Sequence, residues 1–206
     1  VTKRKDNGFF DLEKDQEALK VYLEEIHDKM ISFDDEIERL HYLVDNNFYF
    51  NVFEKYSEAE LIEITEYAKS IHFQFASYMS ASKFYKDYAL KTNDKTKFLE
   101  DYNQHVAIVA LYLANGNVKQ AKQFISAMVE QRYQPATPTF LNAGRARRGE
   151  LVSCFLLEVD DSLNSINFID STAKQLSKIG GGVAINLSKL RARGEAIKGI
   201  KGCLLY

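Results

Sequence analysis

The chain has no tryptophan, only two prolines and only two cysteines among its 206 residues. Each scarcity excludes something. Cys154 and Cys203 cannot build the disulfide framework of a small secreted domain. The four histidines, His27, His41, His72 and His105, stand singly, without His-x-x-x-His or Cys-x-x-Cys spacing, so no metal site is read from them. A lone His among apolar neighbours, such as His72 in Ser-Ile-His-Phe, reads as a packing residue. No apolar run approaches the length of a bilayer span. No apolar segment follows the basic Lys3-Arg4-Lys5 to make a signal peptide. The expectation is a soluble, cytoplasmic protein without a membrane partner. Charge of one sign is not in excess either: a net charge of -2 gives no electrostatic case for a dedicated nucleic-acid binder. The short basic clusters at Arg145–Arg148 and Lys189–Arg193 read as solvated loop surface, with phosphate binding as the other reading.

What is present falls into two regimes. From about residue 11 to 131 the pattern is helical, almost free of Pro and Gly. Leu19, Tyr22, Leu23 and Ile26 follow one helix face, and Leu40, Leu43 and Val44 mark a second, shorter helix. Ser57-Glu-Ala-Glu60 is a capping box opening a helix that turns Leu61, Ile64, Ala68 and Ile71 inward. The aromatics from Phe73 to Tyr88 read as core rather than as a base-stacking platform, since no basic stripe interleaves them. Lys95 to Ala114 reads as a further helix, with Phe98, Tyr102, Val106, Val109 and Leu113 near one face. Asn115-Gly116-Asn117 stops it, Gly116 being suited to the left-handed conformation. Val118 to Glu130 is its antiparallel neighbour.

The second regime begins at Pro135. Pro135 and Pro138 predict an extended loop and push Gln134 and Thr137 out of helical conformation. Leu151 to Val159 has the apolar run of a buried strand. Asp160-Asp161-Ser162 caps a helix reaching about Lys178, with Leu163, Ile166, Ile169 and Leu176 as its apolar positions. Gly180-Gly181-Gly182 then leads into a second strand, Val183 to Leu187. Strand, helix and strand in about forty residues is a crossover unit of a parallel or barrel sheet. Two strands do not make a stable sheet alone, so this half reads as the opening of something larger.

Several residues here suit chemistry, and each has a plainer reading. Cys154 is either a redox or nucleophilic thiol at the mouth of a sheet or an inert buried cysteine in a strand, the commoner fate of an intracellular Cys. Thr137 and Ser153 suit a ligand's phosphate or hydroxyls, or else satisfy their own turns. Gly180 to Gly182 lacks the Gly-x-Gly-x-x-Gly spacing of a dinucleotide site. It is a helix stop with a tight turn, or a place where backbone comes close to a ligand. Asp161 and Ser162 cap a helix whose N-terminus also suits hydroxyls or anions.

Together these motifs resemble the large (alpha) subunit of ribonucleotide reductase, especially its class Ib form. The resemblance is specific in Pro-Ala-Thr-Pro-Thr-Phe-Leu-Asn, Arg-Gly-Glu-Leu-Val-Ser-Cys-Phe-Leu, Gln-Leu-Ser-Lys, Gly-Gly-Gly-Val-Ala and Leu-Arg-Ala-x-Gly-x-x-Ile-Lys, between Gln134 and Gly199. It is weaker at Phe73-Gln-Phe, Lys83-Phe-Tyr and Asp101-Tyr. It implies a class Ib-type N-terminal helical region at 1–85 without a separate ATP-cone, an all-α domain at 86–150, and the start of a ten-stranded α/β barrel at 151–206. The implied fold class is a mainly α N-terminal domain followed by the first strand–helix–strand unit of that barrel.

The implied activity is reduction of ribonucleoside diphosphates to deoxyribonucleotides by thiyl-radical chemistry. Cys154 would be one member of the reducing cysteine pair. Thr137, Ser153, Cys154 and Gly182 would hold substrate. Asp161, Ser162, Leu163, Arg191 and, with a looser match, Lys198 would contact a dNTP or ATP effector at an alpha homodimer interface. The implied partners are a radical-generating, metal-containing small (beta) subunit and a glutaredoxin- or thioredoxin-like reductant. The family's subunit is several times longer, so the chain is expected to be an N-terminal fragment, inactive alone, with no role for Cys203. Two other readings stay open: a non-catalytic nucleotide-binding or interaction module, which calorimetry with dTTP or dATP would reveal, and a stand-alone thiol enzyme, which the absence of a nearby base disfavours.

Overall fold

A computed structural model of the chain describes residues 13–147 and 149–196. The chain divides into two compact units, Val1–Arg148 and Gly149–Tyr206.

The described part of the first unit is helical: α1 (Glu13–Asp28), α2 (Glu36–Asp45), α3 (Glu58–Ser70), α4 (Tyr78–Lys83), α5 (Tyr102–Ala114), α6 (Val118–Val129) and α7 (Thr137–Asn142). Its centre is α5, whose residues from His105 to Leu111 are all buried against α3 and α6. A helix apolar on every side is one that others surround. Around it Leu40, Leu43, Leu61, Ile64, Ile125 and Met128 are almost wholly buried. Each such side chain is worth about 1.5–3 kcal/mol of transfer free energy. The Ser57–Glu60 capping box forms as read, the Glu60 amide donating to the Ser57 hydroxyl and the Ser57 amide to the Glu60 carboxylate. Asn115 and Gly116 both take left-handed conformations at the stop of α5.

The aromatic segment packs as a cluster. Phe73 stacks on Tyr102 at 3.7 Å between centroids, and Phe84 and Tyr85 are buried beside it, while Met79 remains 77% exposed. Here α4 runs on into a π-helical turn, Phe84–Tyr88.

Four local expectations are corrected. The helix placed at Lys95 begins only at Tyr102, because Asp101 and Gln104 form a capping box there and Lys95 is itself left-handed. Phe98 instead bridges to Met30 and Lys91. Thr137 is the first residue of α7 rather than part of an extended loop: Pro138 falls in the first turn, where a missing N–H costs nothing. His72 is exposed, not packed. Arg145 is not solvated loop surface. The Phe50 amide donates to the Gly144 carbonyl and the Ala146 amide to the Phe48 carbonyl, a pairing that draws Arg145 inward beside Tyr49.

In the second unit, β1 (Cys154–Glu158), α8 (Leu163–Lys178) and β2 (Gly182–Asn186) form the right set of elements for a crossover unit. The two strands pair in parallel, from Cys154 opposite Gly182 to Glu158 opposite Asn186. Within the described residues, β1 is not the buried strand its apolar run suggested: its residues alternate between exposed and half-buried, and Leu156 is 85% exposed. A strand apolar on both faces needs cover on both, and α8 packs on one.

Candidate active site

Cys154 is the first residue of β1, exposed and unpaired. Ser153 precedes it, with its hydroxyl 3.9 Å from the Cys154 sulfur. The register sets Gly182 directly across from Cys154, and the Gly182 amide donates to the Ser153 carbonyl at 2.6 Å. A Cβ on Gly182 would stand 3.3 Å from that oxygen, so the missing side chain lets the two strand ends approach closely. The preceding glycines explain how the chain reaches this register. Gly180 has φ +90° and ends α8, while a Cβ on Gly181 would lie 2.3 Å from the Phe155 ring. The triple glycine thus lets the end of α8 press onto β1 and delivers Gly182 beside Cys154.

A second cluster forms at the other ends of the strands. Ser162 caps α8, accepting from the Ser165 amide, and Leu163 follows with 70% of its surface exposed. The Arg191 guanidinium donates to the Asp161 carboxylate at 2.6 Å and to the Ala196 carbonyl at 2.9 Å. Next to it, Lys189 pairs with Asp160 and Glu158; hydrogen bonding to Asp160, then to Glu158, holds its ammonium above its ordinary pKa. The structure therefore brings together Asp161, Ser162, Leu163 and Arg191. A guanidinium paired with the residue just before the N-cap of α8 suits a phosphate-bearing ligand at that helix N-terminus. Lys198 lies outside the described residues.

Thr137 belongs to the first unit. As the opening residue of α7 it is exposed, and its hydroxyl hydrogen-bonds the Tyr88 hydroxyl at 3.2 Å. The two line a cavity of about 310 Å³ together with Phe84, Tyr102 and Lys83. Tyr88 was not singled out by sequence reasoning, and no local pattern separates it from the other aromatics of its segment.

Behind Thr137 sits a buried ionic group that sequence reasoning also missed. Glu100 is fully buried, and its carboxylate accepts from the Leu90 amide at 2.7 Å, Arg145 at 2.8 Å, His105 at 2.9 Å and the Tyr49 hydroxyl. Burial alone would raise the Glu100 pKa, but Arg145 and His105 outweigh it and hold the carboxyl well below the usual range. The same burial, with Glu100 adjacent, pushes the Tyr49 hydroxyl far above the usual tyrosine range, so it stays a donor.

A mostly helical unit followed by a parallel strand–helix–strand unit, with a thiol at a strand end opposite glycine, defines a helical domain joined to the opening of an α/β sheet. Three family models match the chain in order: ribonucleotide reductase N-terminal at residues 1–73, ribonucleotide reductase all-alpha domain at 74–148 and ribonucleotide reductase barrel domain at 152–203. The chain belongs to the ribonucleotide reductase large-subunit family. It is 53% identical over 197 residues to the ribonucleoside-diphosphate reductase subunit alpha of Bacillus subtilis (strain 168), covering 95% of this chain and 28% of that protein. It is 54% identical over 197 residues to the NrdEB subunit alpha of the same organism, covering 95% and 18%. It is 44% identical over 193 residues to the subunit alpha of Mycoplasma pneumoniae, covering 93% and 27%. The chain thus spans 18% to 28% of the length of these curated relatives.

Proposed function

We propose that this chain supplies the N-terminal part of a class Ib ribonucleoside-diphosphate reductase alpha subunit in the cytoplasm. The observation that carries the proposal is the exposed Cys154 thiol at the start of β1, in register with Gly182 and next to Ser153. In this reading Cys154 and a second cysteine of the full-length subunit reduce the 2' position of a ribonucleoside diphosphate. The two thiols give up two electrons and two protons; the 2' C–O bond breaks, a C–H bond replaces it, and water and a disulfide are the other products. A thiyl radical, generated with a metal-containing beta subunit, activates the ribose and is regenerated at the end of each cycle. A glutaredoxin- or thioredoxin-like protein returns the disulfide to thiols.

Ser153, Thr137 and the Gly182 backbone hold the substrate, and fixing a thiol in contact with the ribose is the main contribution a protein can make to such a step. Asp161, Ser162, Leu163 and Arg191, with Lys198, take a dNTP or ATP as specificity effector at an alpha homodimer interface. The Asp161–Arg191 ion pair then orients the guanidinium for phosphate.

The test is Cys154→Ser in the full-length subunit, assayed with its beta partner and a thiol reductant. Deoxynucleotide formation is expected to be lost while effector binding persists. Multiple turnover at the wild-type rate would refute the assignment.

A further inference from the structure

The hydroxyl pair of Thr137 and Tyr88 is tied to Glu100 along two routes. Arg145 donates to the Tyr88 carbonyl and to Glu100 Oε1, both at 2.8 Å. His105 lies 2.7 Å, through Nε2, from the Phe140 carbonyl, and 2.9 Å, through Nδ1, from the same Glu100 oxygen. Phe140 stands in the short helix α7 that Thr137 opens, and Tyr88 is the last residue of the π-helical turn. Both carbonyls are therefore helix-end acceptors, and α7 has no basic residue of its own in its last turn.

The hydrogen bonding fixes the protonation of His105. Leu90 N–H, the Tyr49 hydroxyl and Arg145 all donate to Glu100, so that side chain is an ionised acceptor. Nδ1 of His105 must then carry a proton. The Phe140 carbonyl is also only an acceptor, so Nε2 must carry one too; a bare ring nitrogen would set two lone pairs against each other at 2.7 Å. The Phe84 and Phe140 rings pack edge-on to the imidazole, at 5.5 and 4.5 Å, and His105 has no exposed surface.

We propose that His105 is a buried imidazolium that acts as a positioning residue, setting Thr137 and its partner Tyr88 for nucleotide binding. A buried ion network is weak evidence for stability, since apolar residues of similar size often serve as well. What this network does specifically is hold the two carbonyls that flank one hydroxyl pair. Its role in nucleotide binding rests on the function proposed above; its protonation does not.

Three readouts test it. In the 206-residue chain, nitrogen-15 spectra at neutral pH are expected to show both ring nitrogens of His105 protonated; one unprotonated nitrogen overturns the proposal. In the same chain His105→Leu is expected to move the Thr137 and Tyr88 resonances, and His105→Arg, a permanent cation with only donors, to leave them near their wild-type positions. Unmoved resonances in His105→Leu overturn the positioning role, and if that variant does not fold, His105→Arg and the wild-type spectrum still decide. In the full-length subunit His105→Leu is expected to raise KM for a ribonucleoside diphosphate on the order of tenfold with kcat little changed, and His105→Arg to restore it. An unchanged KM beside normal turnover overturns the role in nucleotide binding. Absence of any reductase activity in the wild-type subunit would instead refute the preceding functional reading, leaving the spectra to judge His105.

Discussion

Glu100→Gln is the sharpest perturbation of the first unit. The substitution keeps the size of the side chain and removes its charge. It leaves Arg145, 10% exposed, and His105, 0% exposed, without their shared counter-ion. It also turns an amide N–H2 toward a site where all four neighbours donate. Breaking a buried ionic pair by removing one partner costs about 3–5 kcal/mol. With a urea slope on the order of 2 kcal/mol/M, the unfolding midpoint should fall by about 2 M. Tyrosine fluorescence reads this unit selectively: the chain has no tryptophan, and every tyrosine but Tyr206 precedes residue 149. The substitution should also flatten the acid limb of the stability profile. Glu100 has its pKa depressed in the folded state, so the unfolded chain takes up the proton first as pH falls. Stability from this group is thus present above about pH 4.5, the ordinary glutamate value, and is lost progressively as pH falls below it. A loss under about 1 kcal/mol, or an unchanged acid limb, would refute the account of Glu100 as the ionised hub.

Two further outcomes follow from the second unit. Gly181→Ala drives a methyl into the Phe155 ring and should destabilise the β1–β2 pairing by about 1–3 kcal/mol, read as faster amide exchange at Phe155 to Glu158; unchanged exchange would contradict the close approach. Arg191→Ala in the full-length subunit should weaken binding of dTTP or dATP by about 10- to 100-fold in calorimetry, and equal affinity would remove Arg191 from the effector site.

Much of this was legible because the signals were local. Ser57-Glu-Ala-Glu60, Asn115-Gly116 and Ser162 act through backbone groups a few residues away, so spacing alone locates them. The parallel unit was legible from the order strand, helix, glycine turn, strand, although only the structure gives the register that faces Cys154 with Gly182. What spacing missed depended on distant partners. Arg145 belongs to the same short basic run as Arg147, and only the pairing of residues 48–50 with 144–146 draws it onto Glu100. His105 reads as one more polar residue in an apolar helix until α7 brings the Phe140 carbonyl to it. Phe98 continues the apolar period back toward Lys95, yet the Asp101–Gln104 box starts the helix about two turns later. Thr137 was read from proline preference, which weighs less than the tolerance of the first helical turn for Pro138.

The proposed role of Cys154 is that of one half of a nucleotide-reducing pair. It is tested most directly in the full-length subunit, mixed with its beta partner and a ribonucleoside diphosphate but no external reductant, by counting thiols after a single turnover. Cys154 is expected to pass from free thiol to disulfide in step with the deoxynucleotide formed. Deoxynucleotide formed while Cys154 stays a free thiol would contradict it.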